Sequence, residues 1–252
     1  MSKTISSGAV RPTGARSTSR AASVSTAPSR RGPRTDIDTR ALIIDTAERM
    51  FGDATIDAVS VRAVAREAGL NTRAVTYHFP SKRDLVAAVL HHRLPVVAQA
   101  TTEGLEALIQ RRAAPSVRDV VETILDPYVN MLREEPRPVL RWIKVFNQLA
   151  LTEDRIWTDE FGVEPSFPDL FLSAIARALP DISDEKVQRR AAIAMYSMIT
   201  MLASADRAAY GHPLGRKGLD PAWIEQLVIF TTAGLEGRID RRRATPSRKS
   251  GT

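Results

Sequence analysis

Between Ser60 and Lys82 the chain reads SVRAVAREAGLNTRAVTYHFPSK, and its polar residues are spaced for one kind of chemistry. If residues 71–79 form a short helix, Thr72, Arg73, Thr76 and Tyr77 share its outward side, with Arg62 outward on the helix before it. Hydroxyls and a guanidinium on one exposed face suit the edges of bases and the oxygens of phosphates. Arg73 is the strongest of these contacts, with a phosphate as good a target as a base. Each residue also has a plainer use. Tyr77 and Phe79 could pack inward, His78 could cap the end of its helix, and Ser81 could cap the helix that follows. Catalysis has much less to work with. The chain has four His and no Cys, which removes thiolate nucleophiles, thiolate metal sites and disulfides together. His91 and His92 are adjacent, so they point to different helix faces and suit shared metal ligation poorly. No phosphate-binding glycine loop, nucleophile elbow or metal-binding His-Glu pattern occurs. The reading is therefore of a binding protein, not an enzyme, with no catalytic residue, no metal ligand and no cofactor.

A frame of helices must hold those side chains. Asp36 or Asp38 can cap a first helix in which Ile43 or Ile44, Ala47, Met50 and Phe51 recur at three-to-four spacing and Gly52-Asp53 ends the run. Ser60 caps a second helix with Val61, Val64, Ala65 and Ala68 inward, and Gly69 stops it. The third runs from an Asn71 cap to Pro80, held by Leu70, Val75 and Phe79. Ser81 opens a fourth, with Leu85, Val89 and Val96 or Val97 inward, reaching about Arg112 with a kink or break expected at Pro95. Further helical patterns lie near 116–134, 138–151, 168–180, 183–209 and 221–237, separated by Pro-rich joints at 136–138 and 165–168 and a Gly-rich stretch at 211–218. No strand-like alternation of useful length occurs. The expected fold is all-α, with about nine helices and an N-terminal three-helix head.

The second and third helices, joined through Gly69-Leu70, have helix-turn-helix spacing. The run VSVRAVAREAGLNTRAVTYHFPSKRDLVAAVL, preceded by ALIIDTAERMF, resembles the DNA-binding head of TetR-type transcriptional regulators over residues 40–90. Val75-Thr76 departs from the Leu-Tyr that many members carry before the position of Tyr77. The resemblance implies a homodimer with two heads on a roughly palindromic DNA operator, repression as the usual sign, and a C-terminal helical domain for a small ligand and for dimerisation. By matching position, Thr72, Arg73, Thr76 and Tyr77 would face the groove. Arg62, His78 and Lys82 would hold phosphates, with Ser60 and Asn71 adding contacts at helix termini. The corresponding organisation is a head at 36–82 and a ligand and dimerisation domain at 83–237.

Beyond residue 95 the runs DVVETILDPYVNMLREEP, LRWIKVFNQLA and FPDLFLSAIARALPDIS resemble, more loosely, the subgroup that senses fatty acyl ligands. Trp142, Phe146, Trp157, Phe161, Phe167 and Phe171 concentrate large aromatics within thirty residues, which could line an apolar pocket or simply fill a core. Met195, Met198 and Met201 raise the same pair of readings for the 183–209 pattern. Its small residues would let a partner helix approach closely, so 183–209 and 221–237, with Trp223 and Leu227, are the expected dimer seam.

Net charge divides unevenly. Residues 1–35 hold seven bases and no acid, residues 238–252 six bases and one acid, and the 202 residues between them carry a net −5. The head, at 36–94, is balanced at eight of each. Both tails are expected to be disordered, because they have too little apolar surface to offset their ordering entropy. They would serve either solubility or general attraction to a polyanion. No run reaches the roughly 18–20 apolar residues a membrane span needs, and the N-terminus lacks the apolar core of a signal peptide, so the cytoplasm and its nucleoid are the expected location. The main rival is an apolar-ligand (acyl) binding protein whose DNA-binding head is non-functional.

Overall fold

The computed structural model of the chain describes residues 36–152, 154–156 and 166–237. The two tails, Trp157 and Phe161 lie outside those residues. Among the described residues there are nine α-helices: α1 Asp36–Asp53, α2 Val61–Glu67, α3 Thr72–His78, α4 Lys82–Gln110, α5 Val117–Glu134, α6 Pro136–Leu151, α7 Phe167–Ala178, α8 Asp184–Ala203 and α9 Pro221–Glu236. Between α8 and α9 the Gly-rich joint folds into a small antiparallel hairpin, pairing Leu214 with Leu219 and Gly215 with Gly218. No helix among the described residues is long and apolar enough to cross a membrane.

Local chemistry accounts for most of the boundaries. Ser60, Asn71, Ser81, Ser116 and Ser166 each cap a helix by accepting a backbone N–H, and at Ser81 and Ser116 an Asp at the third position completes a capping box. α6 begins two residues earlier than its apolar pattern, at Pro136, whose missing N–H is no loss in a first helical turn. α8 stops at Ala203, short of its expected end, and the backbone carbonyl of Ala205 accepts from Leu214 N–H at 3.1 Å as the chain turns back. The break expected at Pro95 does not occur. α4 runs through it for 29 residues, with Pro95 on an exposed face.

One apolar core runs from Ile43 in α1 to Leu235 in α9. The three-helix head is therefore packed onto the helices behind it. The join is made by α1 against α6 at very short range: a Cβ added at Gly52 would sit 2.5 Å from Arg141 Cβ and 2.6 Å from Arg141 Cα. Around this contact the side chains interlock. Arg141 donates to both oxygens of Asp53, at 2.8 and 2.9 Å. The Gln148 carboxamide accepts from Ile56 N–H at 2.8 Å and donates to the Phe51 carbonyl at 3.2 Å. A turn away, Arg93 of α4 bridges Glu48 of α1 at 3.2 Å and Glu135 at 2.7 Å. Burial raises the Glu48 carboxyl above its ordinary value, against the lowering effect of Arg93. Burial also works against the Arg93 charge, but its two carboxylate partners outweigh this and hold its pKa above the ordinary value.

Two consequences can be measured. Gly52→Ala gains up to about 1 kcal/mol of helix propensity but drives a methyl into backbone that no side-chain rotation can clear. Overpacking of this kind costs about 1–3 kcal/mol, so the urea midpoint should fall. Glu48 takes up a proton more readily in the folded chain than in the unfolded one. Its contribution to stability therefore grows as pH falls from neutral through its raised folded pKa, and levels off below the unfolded value. Glu48→Gln should thus raise the urea midpoint at pH 7, and the gain should shrink as the medium is acidified.

Candidate nucleic-acid interface and interior cavity

α2 and α3 meet through a turn whose hydrogen bonds are all local. After Glu67 the N–H of Gly69 bonds to the Arg66 carbonyl at 3.1 Å, and that of Leu70 to the Ala65 carbonyl at 2.8 Å. This Schellman closure needs a left-handed residue, and Gly69 supplies it at φ +67°. The turn sends α3 off with Val75 and Phe79 buried against α1 and α2, as the apolar spacing requires. The Arg40 guanidinium lies 5.3 Å above the Phe79 ring, and Arg49 bonds to Glu67 at 2.6 Å, so α1 clamps both ends of the pair.

With that face inward, the other side of α3 is open. Arg62, Arg73, Thr76 and Tyr77 are exposed, Tyr77 at 74%, while Thr72, His78 and Lys82 are half-buried beside them. The packing alternative for Tyr77 is thereby set aside, and the one for Phe79 holds. Several of these groups are partly engaged already. Ser60 accepts from Ala63 N–H at 3.1 Å and Asn71 from Ala74 N–H at 2.9 Å, which leaves the serine hydrogen and the asparagine NH2 to reach outward. Thr76 donates its hydroxyl to the Arg73 carbonyl at 3.2 Å, leaving its lone pairs and methyl facing out. Lys82 reaches back to the Asp57 carbonyl at 3.3 Å, and His78 meets the Tyr77 ring edge-on at 5.2 Å. The assembled surface is a short helix offering one guanidinium, a phenol, and hydroxyl-bearing side chains with a methyl. That set can contact base edges, the thymine methyl and phosphates together.

Behind the head, α4, α5, α6, α7 and α8 enclose a cavity of about 60 Å³. Phe146, Phe167, Met195 and Met198 line it, as the sequence suggested. Two other expected members do not. Trp142 is fully buried in core, stacked on Phe146 at 5.4 Å, and its indole N–H donates to the Leu90 carbonyl at 3.0 Å. Phe171 is also core, stacked on Phe167 at 6.1 Å. Among the lining residues that sequence reading missed are Leu94, Val97 and Thr101 on α4, and Ile124 and Tyr128 on α5. Their signal was present, since both helices have clear apolar faces, but periodicity alone cannot say which part of a buried face borders a void.

A third surface lies on α8 and α9. Tyr196, Met201, Trp223, Leu227 and Phe230 line a shallow apolar groove there, and Ile193 and Phe230 stand 69% and 71% exposed. The two exposed side chains thus lie on the outer helices, beside this groove and away from the core.

Comparison with known proteins follows the same division. Residues 43–89 match the family model for bacterial regulatory proteins of the tetR family, and residues 122–234 match the tetracyclin repressor-like C-terminal domain. Among solved structures, a "Probable transcriptional regulatory protein RHA5900" is 16% identical over 82% of this chain and 100% of its own, with a TM-score of 0.54, which places the fold. A TetR-family transcriptional regulator from Streptomyces coelicolor is 21% identical over 82% of this chain and 100% of its own, at TM-score 0.44. A gamma-butyrolactone receptor (ArpA like protein) is 17% identical over 80% of this chain and 98% of its own, at TM-score 0.42. No curated protein matches.

Proposed function

The chain belongs to the TetR family of bacterial transcriptional regulators, and from that premise we propose a repressor that binds a palindromic operator as a homodimer and is released by a small apolar ligand. The observation that carries this reading is the open face of α3, with Arg73, Thr76 and Tyr77 exposed on a helix whose opposite side is locked into the head. In the proposed complex Thr72, Arg73, Thr76 and Tyr77 enter the major groove. Arg62, His78 and Lys82 lie along the phosphates, with Ser60 and Asn71 at the flanking helix starts. The apolar groove of α8 and α9 supports the two-fold partner, because a second copy of the same surface would cover Ile193 and Phe230.

Release follows from linkage. α4 carries Lys82 at one end and the cavity residues Leu94 to Thr101 further along. At 1.5 Å per residue these are about 20–30 Å apart on one continuous rod. A ligand that favours a dimer whose heads are wrongly spaced weakens DNA binding by its differential affinity for the two arrangements, and by no more.

Selection of bound sequences from random DNA supplies the operator for testing. On it, Lys82→Ala should weaken binding to all sequences and lower the slope of log affinity against log salt by about 1. Arg73→Ala should cost about 1–3 kcal/mol and relax preference at one or two positions. A double variant that bound as tightly as the parent would show the docking face to be elsewhere, and failure to select any sequence would favour a ligand-binding protein with a silent head. Phe230→Glu should convert the dimer, in sedimentation equilibrium, to a species of 27.7 kDa, because it sets a charge in the seam.

A further inference from the structure

The cavity behind the head has a chemical character that narrows what can enter it. Leu94, Val97, Ile124, Phe146, Met198 and Leu202 belong to its largely apolar wall, and none of its described lining residues carries a charge. Polar groups are few. Thr101, 3% exposed, has a buried hydroxyl with no hydrogen-bond partner among the described residues. Tyr128 and Tyr196 bring phenols from α5 and α8. Thr231 and Thr232 on α9 also have buried hydroxyls without a partner among the described residues, but of the three only Thr101 lines the cavity. A buried polar group left unpaired in a native structure calls for an explanation, and a missing ligand atom is one.

Resting on the reading of this domain as the ligand-binding part of the regulator, we propose that the cavity takes an uncharged, compact apolar molecule bearing one hydrogen-bonding oxygen, held by the Thr101 hydroxyl. Three observations favour this class over the carboxylates and long acyl chains that the sequence resemblance suggests. An ionised carboxylate would have no cation among the described lining residues to compensate its desolvation, and such a group is expelled or neutralised. The same environment acts on the protein's own acid there, since burial pushes the Tyr128 phenol above its ordinary value. Size points the same way. At about 60 Å³ the space is well under the roughly 150 Å³ in which an apolar cavity holds benzene. A guest must therefore be small and must displace flexible side chains, for which Met195 and Met198 are suited. Thr101 also gives the ligand purchase on the helix that runs into the head, so that occupancy is felt by α4 directly.

The test uses three molecules with one six-atom skeleton: 2-pentanone, its isostere 2-methylpentane, in which a methyl replaces the oxygen, and butyrate, in which a charged oxygen replaces a terminal methyl. Binding to the full chain is followed at pH 7.5 by saturation-transfer NMR and by the fluorescence of a Trp157→Phe, Trp223→Phe variant, which keeps Trp142 stacked on a wall residue of the cavity. The proposal expects 2-pentanone to bind, 2-methylpentane to bind about tenfold more weakly, and butyrate not to bind. Thr101→Val, close in shape, should bring 2-pentanone down to or below the level of 2-methylpentane, since its carbonyl is then buried unpaired, and leave the alkane unchanged. Thr101→Ser should restore the difference. Butyrate binding more tightly than the ketone, or a Thr101→Val variant that still prefers the ketone, would overturn the proposal while leaving the ligand domain in place. If none of the three binds the parent chain, the ligand-domain reading itself fails at this cavity, and the proposal fails with it.

Discussion

The placing of the three-helix head depends on two helices touching almost backbone to backbone. α1 can lie against α6 at Gly52 because no side chain is there, and the surrounding bonds make sense only at that range. Asp53 reaches both nitrogens of the Arg141 fork, and one Gln148 carboxamide serves a loop N–H and a helix carbonyl at once. Separate the helices by the width of a methyl and each of these bonds must lengthen or break. The three-helix head, too small for much of a core of its own, gets its rigidity from this shared one. α3 can then turn its polar side to solvent without losing its place.

Much of this was legible in the residues, and the reasons differ by element. The head could be read almost position by position because its signals are local. Caps at Ser60, Asn71 and Ser81, the left-handed Gly69 and the inward Val75 and Phe79 each act within a few residues. The cavity was only half legible. Phe146, Phe167, Met195 and Met198 were found through their size and spacing, but Trp142 was placed beside them when its indole is committed to the Leu90 carbonyl. Thr101 went unremarked, because a lone threonine in a helical pattern carries no hint that its hydroxyl will be left without a partner. Of the kink or break that Pro95 suggested, the break is absent, for a related reason. A proline's effect on a helix depends on which face it occupies, and that is settled by packing from elements distant in sequence.

α4 is where the two halves of the design meet. It starts at the capping box that ends the head, passes Arg93 in the carboxylate bridge, offers the Leu90 carbonyl to Trp142 and finishes along the cavity wall. A helix tied at so many points moves as a body or not at all. In the proposed mechanism, a small change at one end would be carried along it, because a packed interior offers few intermediate positions.

The apolar lining of the cavity has a thermal consequence. Removing apolar surface from water lowers the heat capacity of the complex, whatever balance of enthalpy and entropy holds at one temperature. Affinity governed by such a term has a maximum at the temperature where the binding enthalpy passes through zero, and falls away on both warming and cooling. On the proposed reading of this cavity as the ligand site, a wall of leucine, valine, isoleucine and methionine makes the response depend on temperature as well as on concentration.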